Sequence, residues 1–139
     1  MDNYTIVRKE HQNSYGYLFG GTLLSWVDEF AWIFASLDFP GCSLVTVGMD
    51  HVSFKERVEN GSILRFNILP AQRGASSISY AVNVYADAPG ATEEKTVFST
   101  RVTFVRIDAE GRKCTLPDTP VLRSEAGSAI SSSELFWKR

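Results

Sequence analysis

The sequence predicts an α+β domain in which an antiparallel sheet wraps around one long helix. A long apolar segment without Gly or Pro indicates the helix, and later segments in which apolar and polar residues alternate indicate strands. Turns rich in Gly and Pro separate these segments. One helix covers only one face of such a sheet, so the remaining face and the edges, with Val45 and Val47, are expected to meet another copy of the chain.

The helix is predicted in TLLSWVDEFAWIFASL, residues 22–37. Eleven of its sixteen residues are apolar, which is typical of a buried helix rather than a surface helix. The following FPG, residues 39–41, ends it. A loop that contains Gly16, Gly20 and Gly21 precedes it.

One strand is predicted before the helix and four after it. They are YTIVRK (4–9), SLVTVGMDHVSF (43–54), SILRFNIL (62–69), SISYAVNVYA (77–86) and FSTRVTFVRI (98–107). The end of the chain, residues 121–139, is rich in Ser, Ala and Gly and is predicted to be a mobile tail. This leaves a single domain over residues 1–120.

Charge and composition exclude several classes of function. A net charge of -2 argues against a nucleic-acid-binding protein and against a basic protein of the membrane surface. No apolar run reaches the ~18 residues of a membrane span, and the N-terminal segment carries charges where a signal peptide needs an apolar stretch. Cys42 and Cys114 show neither metal-ligand spacing nor a disulfide framework. We therefore expect a cytoplasmic protein without a bound metal.

Asp28 stands out because it is ionisable and lies in the middle of the apolar helix. At about 100° per residue, the polar residues Thr22, Ser25, Glu29 and Ser36 share one narrow stripe, whereas Asp28 lies about 90° away from it. Its helical neighbours are small or apolar. A charge without partners in such surroundings costs several kcal/mol, so Asp28 is either a structural carboxylate bonded to an Arg or to backbone amides, or a general base.

Gly20 and Gly21 precede the predicted helix. A ligand can approach glycine backbone closely, and the first amides of a helix have free N–H groups at the positive end of the helix dipole. Such a helix start can bind a developing oxyanion. The alternative is a flexible helix entry without a function in binding.

The segment NSYGYLFGGTLLSWVDE, residues 13–29, resembles the Asn-x-x-Gly-x-x-Phe/His-Gly-Gly signature, with its later Asp-Glu, of hotdog-fold acyl-CoA thioesterases of the cytosolic acyl-CoA hydrolase type. The similarity continues through LVTVGMDHVSFKERVENGSILRF, RGASSISYAVNVY and FVRIDAEGR. The resemblance implies a hotdog fold, a homodimer whose sheets join edge to edge, and trimers of such dimers. It also implies hydrolysis of an acyl-CoA to a free acid and CoA, with CoA as part of the substrate and no separate cofactor.

The resemblance assigns roles to individual residues. Asp28 matches the catalytic carboxylate, which acts as general base or as nucleophile. Asn13 matches a loop asparagine that holds the attacking water or the thioester and is contributed by the partner chain. Gly20 and Gly21 match the turn whose amide polarises the thioester carbonyl.

Further residues are predicted to contact the substrate. Arg73, Gly74, Ser76 and Ser77 lie in a segment that resembles the stretch along the pantetheine and nucleotide of CoA. Phe19 and Phe54 are predicted substrate contacts as well. Candidates for binding the CoA phosphates are the basic residues near turns, namely Lys55, Arg57, Arg73, Arg112 and Lys113.

Two positions depart from the family pattern. His11 and Tyr15 stand where many relatives carry Asp and a polar Asn or His, so we keep an auxiliary role open for His11. His51 is interpreted as a strand residue. Two other functions remain open: an acyl-thioester dehydratase of the same fold, disfavoured because residues 22–37 contain no His, and a non-catalytic acyl-CoA-binding module.

Overall fold

A computed structural model describes residues 1–125 and contains the predicted helix and five strands. The elements are β1 (Asp2–Ile6), a 3₁₀ turn (Lys9–His11), α1 (Gly20–Asp38), β2 (Ser43–Phe54), β3 (Ile63–Arg73), β4 (Ser77–Asp87) and β5 (Lys95–Ile107). All neighbouring strands are antiparallel, in the order β1-β3-β4-β5-β2. The α+β class expected from the sequence is confirmed.

The helix begins earlier than the sequence predicts. The Phe19 carbonyl accepts hydrogen bonds from the N–H groups of Thr22 and Leu23, so the two glycines form the first turn of α1. The first strand ends earlier than predicted, because Val7 leaves β1 and pairs instead with the turn at Gly61 and Ser62.

The core lies between one face of α1 and the sheet. Leu23, Val27, Ala31, Phe34 and Ala35 are the buried apolar residues of the helix, and their spacing of three to four residues places them on one stripe. The sheet contributes the buried members of the alternating strands, namely Leu64, Phe66, Ile68, Ile78, Tyr80, Val82, Val84, Phe98, Val102 and Phe104. Each large side chain buried here stabilises the fold by about 1.5–3 kcal/mol, which fixes α1 on the sheet.

Among residues 1–125, strand β2 lies at an edge of the sheet and pairs with β5 alone. Val45, Val47, Val52 and Phe54 on this strand are all exposed, Val47 by 58% and Phe54 by 54%. The helix lies alongside it, since the Trp32 indole N–H donates to the Leu44 carbonyl at 3.0 Å. An edge with unpaired backbone groups and apolar side chains is suited to pairing with another strand.

The C-terminal end of α1 is fixed by a buried polar cluster. Asp38 accepts hydrogen bonds from the Tyr80 hydroxyl at 2.6 Å and from the Ser124 amide and hydroxyl at 2.8 and 2.5 Å. Leu116 and Leu122 are buried in the same C-terminal segment. The described part of the predicted tail, residues 121–125, therefore packs on the core. The remainder, residues 126–139, lies outside the described residues, so the division at residue 120 stays a prediction.

We expect Tyr80→Phe to lower the free energy of unfolding by about 1–3 kcal/mol, because Asp38 loses a buried donor. Burial, and next the hydrogen bond to Asp38, raises the pKa of Tyr80 above its ordinary value of 10.0. The folded chain thus holds this proton more tightly than the unfolded chain.

The protonated Tyr80 hydroxyl therefore contributes its full stabilisation below about pH 10. As the pH rises further this stabilisation is lost, by at most about 1.4 kcal/mol per pH unit. Urea denaturation of wild type and Tyr80→Phe between pH 7 and pH 11 measures this. Equal pH dependence in the two proteins would contradict the prediction.

Candidate active site

A short hairpin, residues 11–19, leads into α1. The N–H of Phe19 donates to the His11 carbonyl at 2.8 Å, and Gln12 pairs with Leu18. At the tip, the Asn13 side-chain oxygen accepts the N–H groups of Tyr15 and Tyr17 at 2.9 and 3.2 Å. This bonding uses the oxygen of Asn13, and its NH₂ group makes no hydrogen bond with residues 1–125, so that group is left to donate to a ligand or to another chain.

The first turn of α1 presents two unbonded backbone donors. Within residues 1–125, neither the Gly20 nor the Gly21 N–H makes a hydrogen bond, and no side chain caps the helix. A Cβ atom on Gly20 would lie 3.4 Å from the Phe54 ring, and one on Gly21 would lie 3.1 Å from the Phe19 ring. The sequence places glycine where both aromatic rings approach the backbone, and the helix dipole adds positive potential at this point.

A cavity of about 580 Å³ opens beside this helix start. Five of the residues predicted from the sequence line it, namely Asn13, Gly20, Phe54, Lys55 and Arg57. Leu18, Leu23 and Val58 also line it and make it largely apolar, whereas the ionisable side chains of Lys55, Glu56 and Arg57 give it charge. The cavity can thus take a molecule that has both an apolar part and an anionic part.

Asp28 lies outside this cavity, on the side of α1 that faces β2. It is half-buried, and its Oδ1 accepts a hydrogen bond from the Thr46 hydroxyl at 2.7 Å. Among residues 1–125, Asp28 makes this one hydrogen bond. Neither an Arg side chain nor a backbone N–H donates to its carboxylate there, whereas a structural carboxylate is expected to have such a donor. Its Oδ2 makes no hydrogen bond in this part of the chain and is available to accept a proton.

The contact of Thr46 with Asp28 was not predicted from the sequence. The available signal was a hydroxyl in the otherwise apolar LVTV of β2. Alternation along a strand does not reveal which helix residue a side chain will contact.

The helix separates Asp28 from the cavity. Asp28 follows Gly20 by eight positions, which corresponds to about 12 Å along a rigid helix. A single chain therefore does not bring the Asp28 carboxylate next to Asn13. The predicted contribution of Asn13 by a partner chain stays a prediction.

The segment predicted to lie along CoA is not part of this cavity. The Arg73 guanidinium donates to the carbonyls of Pro117 and Thr119 and lies over the Phe39 ring. The Gly74 N–H donates to the Ser77 carbonyl, and the Ser76 carbonyl accepts the Arg106 N–H. These hydrogen bonds hold the β3–β4 turn against β5 and the C-terminal segment. The predicted contacts of these residues to CoA stay predictions.

The other candidates are distributed around the fold. Arg112 and Lys113 are exposed in the turn after β5. His51 is a strand residue as interpreted, although it adopts φ 52° at an irregular point of β2. Across residues 1–125, no cluster of His, Cys, Asp or Glu side chains is suited to holding a metal ion. Nor does a helix in this part of the chain have the length and apolarity needed to cross a membrane.

Residues 15–93 match the family model of the thioesterase superfamily. The chain belongs to this superfamily. It is 33% identical to a hexameric hotdog-fold thioesterase of Campylobacter jejuni, with a TM-score of 0.74 over 83% of this chain and 88% of that chain. It is 26% identical to an acyl-CoA hydrolase from Staphylococcus aureus solved with butyryl-CoA, CoA and CoA disulfide, with a TM-score of 0.77 over 100% of this chain and 85% of that chain.

A hexameric thioesterase from Yersinia pestis is 25% identical, with a TM-score of 0.76 over 84% of this chain and 93% of that chain. A comparison with curated proteins gives no match. The solved structures confirm the hotdog fold that the sequence motif implies.

The Staphylococcus aureus hydrolase has also been solved with alanine in place of an asparagine, an aspartate and a threonine. In that protein the asparagine precedes the aspartate by 15 residues, as Asn13 precedes Asp28 here. Its threonine follows the aspartate by 17 residues, whereas Thr46 follows Asp28 by 18. The same three residue types thus occur in the same order at nearly the same spacing.

Proposed function

We propose that this superfamily member is an acyl-CoA thioesterase that hydrolyses an acyl-CoA to a free acid and CoA in the cytoplasm. The observation that carries the proposal is the uncapped first turn of α1, where the Gly20 and Gly21 N–H groups make no hydrogen bond within residues 1–125. Gly20 lines a partly apolar cavity with basic residues in its wall, and Gly21 follows it in the chain. The likeness to a hydrolase solved with butyryl-CoA supports the choice of substrate class.

The helix start stabilises the charge that develops on the thioester oxygen. As the carbonyl carbon is attacked, its oxygen becomes an oxyanion, and the Gly21 N–H donates to it with the helix dipole behind it. A backbone donor that is already in place costs no reorganisation, and one such donor is worth about 10²–10³ in rate. Gly20 gives the thioester room to approach.

Asp28 supplies the second half of the chemistry. As a general base, it takes a proton from a water molecule whose oxygen attacks the carbonyl carbon; as a nucleophile, it attacks that carbon itself and water then hydrolyses the anhydride. In either case the C–S bond breaks and the CoA thiolate takes up a proton. The Thr46 hydroxyl holds Oδ1, so the proton or the new bond forms at Oδ2.

Two chains are needed to assemble this site. Within one chain, Asp28 and the start of the helix beside the cavity are about 12 Å apart along α1, so one chain does not complete the site. A dimer that joins two β2 strands edge to edge brings Asp28 of one chain to Asn13 of the partner subunit. The exposed Val45 and Val47 lie on that edge. We expect these dimers to assemble further into trimers of dimers, as hexameric relatives do.

The charged part of the cavity is suited to the CoA end of the substrate. Lys55 and Arg57 line the cavity, and Arg57 lies 5.0 Å from the centre of the Tyr17 ring. Their positive charges can bind the pyrophosphate or the 3′-phosphate of CoA. The apolar residues beside them can contact the pantetheine or the acyl chain.

We expect Asp28→Asn to abolish most hydrolysis, because the amide cannot accept a proton or attack the thioester yet keeps the shape of the side chain. Free-thiol release from a panel of acyl-CoAs, from acetyl to palmitoyl with aromatic members, measures this. Glu29→Gln, on the neighbouring exposed carboxylate, is the matched control and should retain activity. Near-normal turnover by Asp28→Asn would exclude Asp28 from the chemistry, and no release by wild type would refute the proposed activity.

Two replacements of Thr46 distinguish the effect of its hydroxyl group from the effect of its side-chain shape. Thr46→Val removes the hydrogen bond to Asp28 and should lower kcat about tenfold, whereas Thr46→Ser keeps the hydroxyl and should stay within about threefold of wild type. Steady-state kinetics on one acyl-CoA decides between these results. Equal kcat for the Val and Ser variants would show that this contact does not orient the carboxylate.

Mixed dimers test the two-chain site. Asn13→Ala and Asp28→Asn should each be nearly inactive, but a dimer with one chain of each kind contains one site with both groups intact. Random pairing in co-expression should therefore restore about a quarter of wild-type activity if each site spans two chains. Activity no higher than that of the separate variants would place Asn13 and Asp28 in the site of one chain.

A further inference from the structure

His11 lies where three parts of the chain meet. Its Nδ1 accepts the Arg8 N–H at 2.9 Å, and its ring lies edge-on to Trp26 with the ring centres 4.7 Å apart. Its carbonyl accepts the Phe19 N–H. The residue thus connects the end of β1, the hairpin and the middle of α1.

The bond at Nδ1 determines the state of the ring. A backbone N–H can only donate, so Nδ1 must carry a lone pair, and in the neutral ring the proton is then on Nε2. A doubly protonated imidazolium has no acceptor and cannot make this bond. The geometry requires the neutral ring with the proton on Nε2.

A series of hydrogen bonds connects the buried residue Val7 to the first turn of α1. Val7 is 1% exposed, and its N–H and carbonyl both pair with the turn at residues 61–62. Arg8 follows it and donates to the His11 ring, and the His11 carbonyl holds the Phe19 N–H. The Phe19 carbonyl in turn accepts the N–H groups of Thr22 and Leu23 in the first turn of α1. Gly20 and Gly21, which follow Phe19 directly, take their orientation from this chain of bonds.

We propose that His11 is a positioning residue: its neutral ring, through Nδ1, fixes the hairpin of residues 11–19 and so aims the Gly20 and Gly21 amides at the thioester. The kinetic part of this inference rests on the proposed thioesterase function. The side chain acts through the backbone of Arg8 and Phe19 and need not touch the substrate. A displacement of the donors lowers turnover much more than it lowers binding, because the oxyanion exists only after attack.

Two variants separate the contacts of His11. His11→Asn places an oxygen where Nδ1 lies and loses the ring contact, whereas His11→Phe keeps a ring beside Trp26 and loses the acceptor. We expect His11→Asn to keep kcat within about threefold of wild type and His11→Phe to lower kcat about tenfold or more, with KM within about threefold in both. The inference is overturned if His11→Phe turns over like wild type, or if His11→Asn loses as much kcat as His11→Phe.

The state of the ring can be measured on the wild-type protein without an activity assay. The chain contains two histidines, so His51→Gln assigns the imidazole ¹⁵N signals of His11 by elimination. At pH 8 we expect the shift pattern of a ring protonated on Nε2 alone. Protonation on Nδ1, or rapid exchange between the two neutral forms, would refute the bond to Arg8. If wild type hydrolyses no acyl-CoA, the proposed function fails, while this measurement still decides the state of His11.

Discussion

The first turn of α1 is the constraint on which the site depends. Most helices satisfy their first N–H groups with a Ser, Thr, Asp or Asn side chain, which stabilises a protein by about 1 kcal/mol. This helix begins after Phe19, whose side chain cannot cap it, and continues with two glycines that lower helix propensity by about 1 kcal/mol each. The chain thus gives up local stability to keep two donors free, a cost expected at functional sites.

Burial along the rest of α1 offsets that cost. The helix is held by a stripe of apolar residues against the sheet, and Phe30 packs edge-on against Phe66 with the ring centres 4.8 Å apart. A rigid helix also fixes the distance between its first amides and Asp28 at about 12 Å. The same rigidity that holds the donors in place prevents one chain from closing the site by itself. Under the proposed function, dimerisation is a geometric requirement and not an added regulatory feature.

Local patterns in the sequence were sufficient to predict the elements. The apolar run of α1 and the alternation in β2 to β5 depend on neighbouring residues, so they are visible without the fold. Contacts between distant positions were not visible. Tyr80 has the pattern of an ordinary core residue and Ser124 lies in a Ser-rich end, yet both bond to Asp38. For the same reason Thr46 was missed, and the guanidinium of Arg73, predicted to face CoA, is bonded to carbonyls of the C-terminal segment.

The two ends of α1 are stabilised in opposite ways. At the C-terminal end the helix dipole is negative, so a carboxylate such as Asp38 is unfavourable there unless donors surround it. Tyr80 and Ser124 supply three hydrogen bonds to it, and they tie strand β4 and the C-terminal segment to the end of the helix. At the N-terminal end the dipole is positive, the first turn contains no acidic residue, and no side chain of residues 1–125 caps it. The hydrogen bonds of Asp38 leave the N-terminal end uncapped, and that uncapped end is where a substrate oxyanion can supply the missing acceptor.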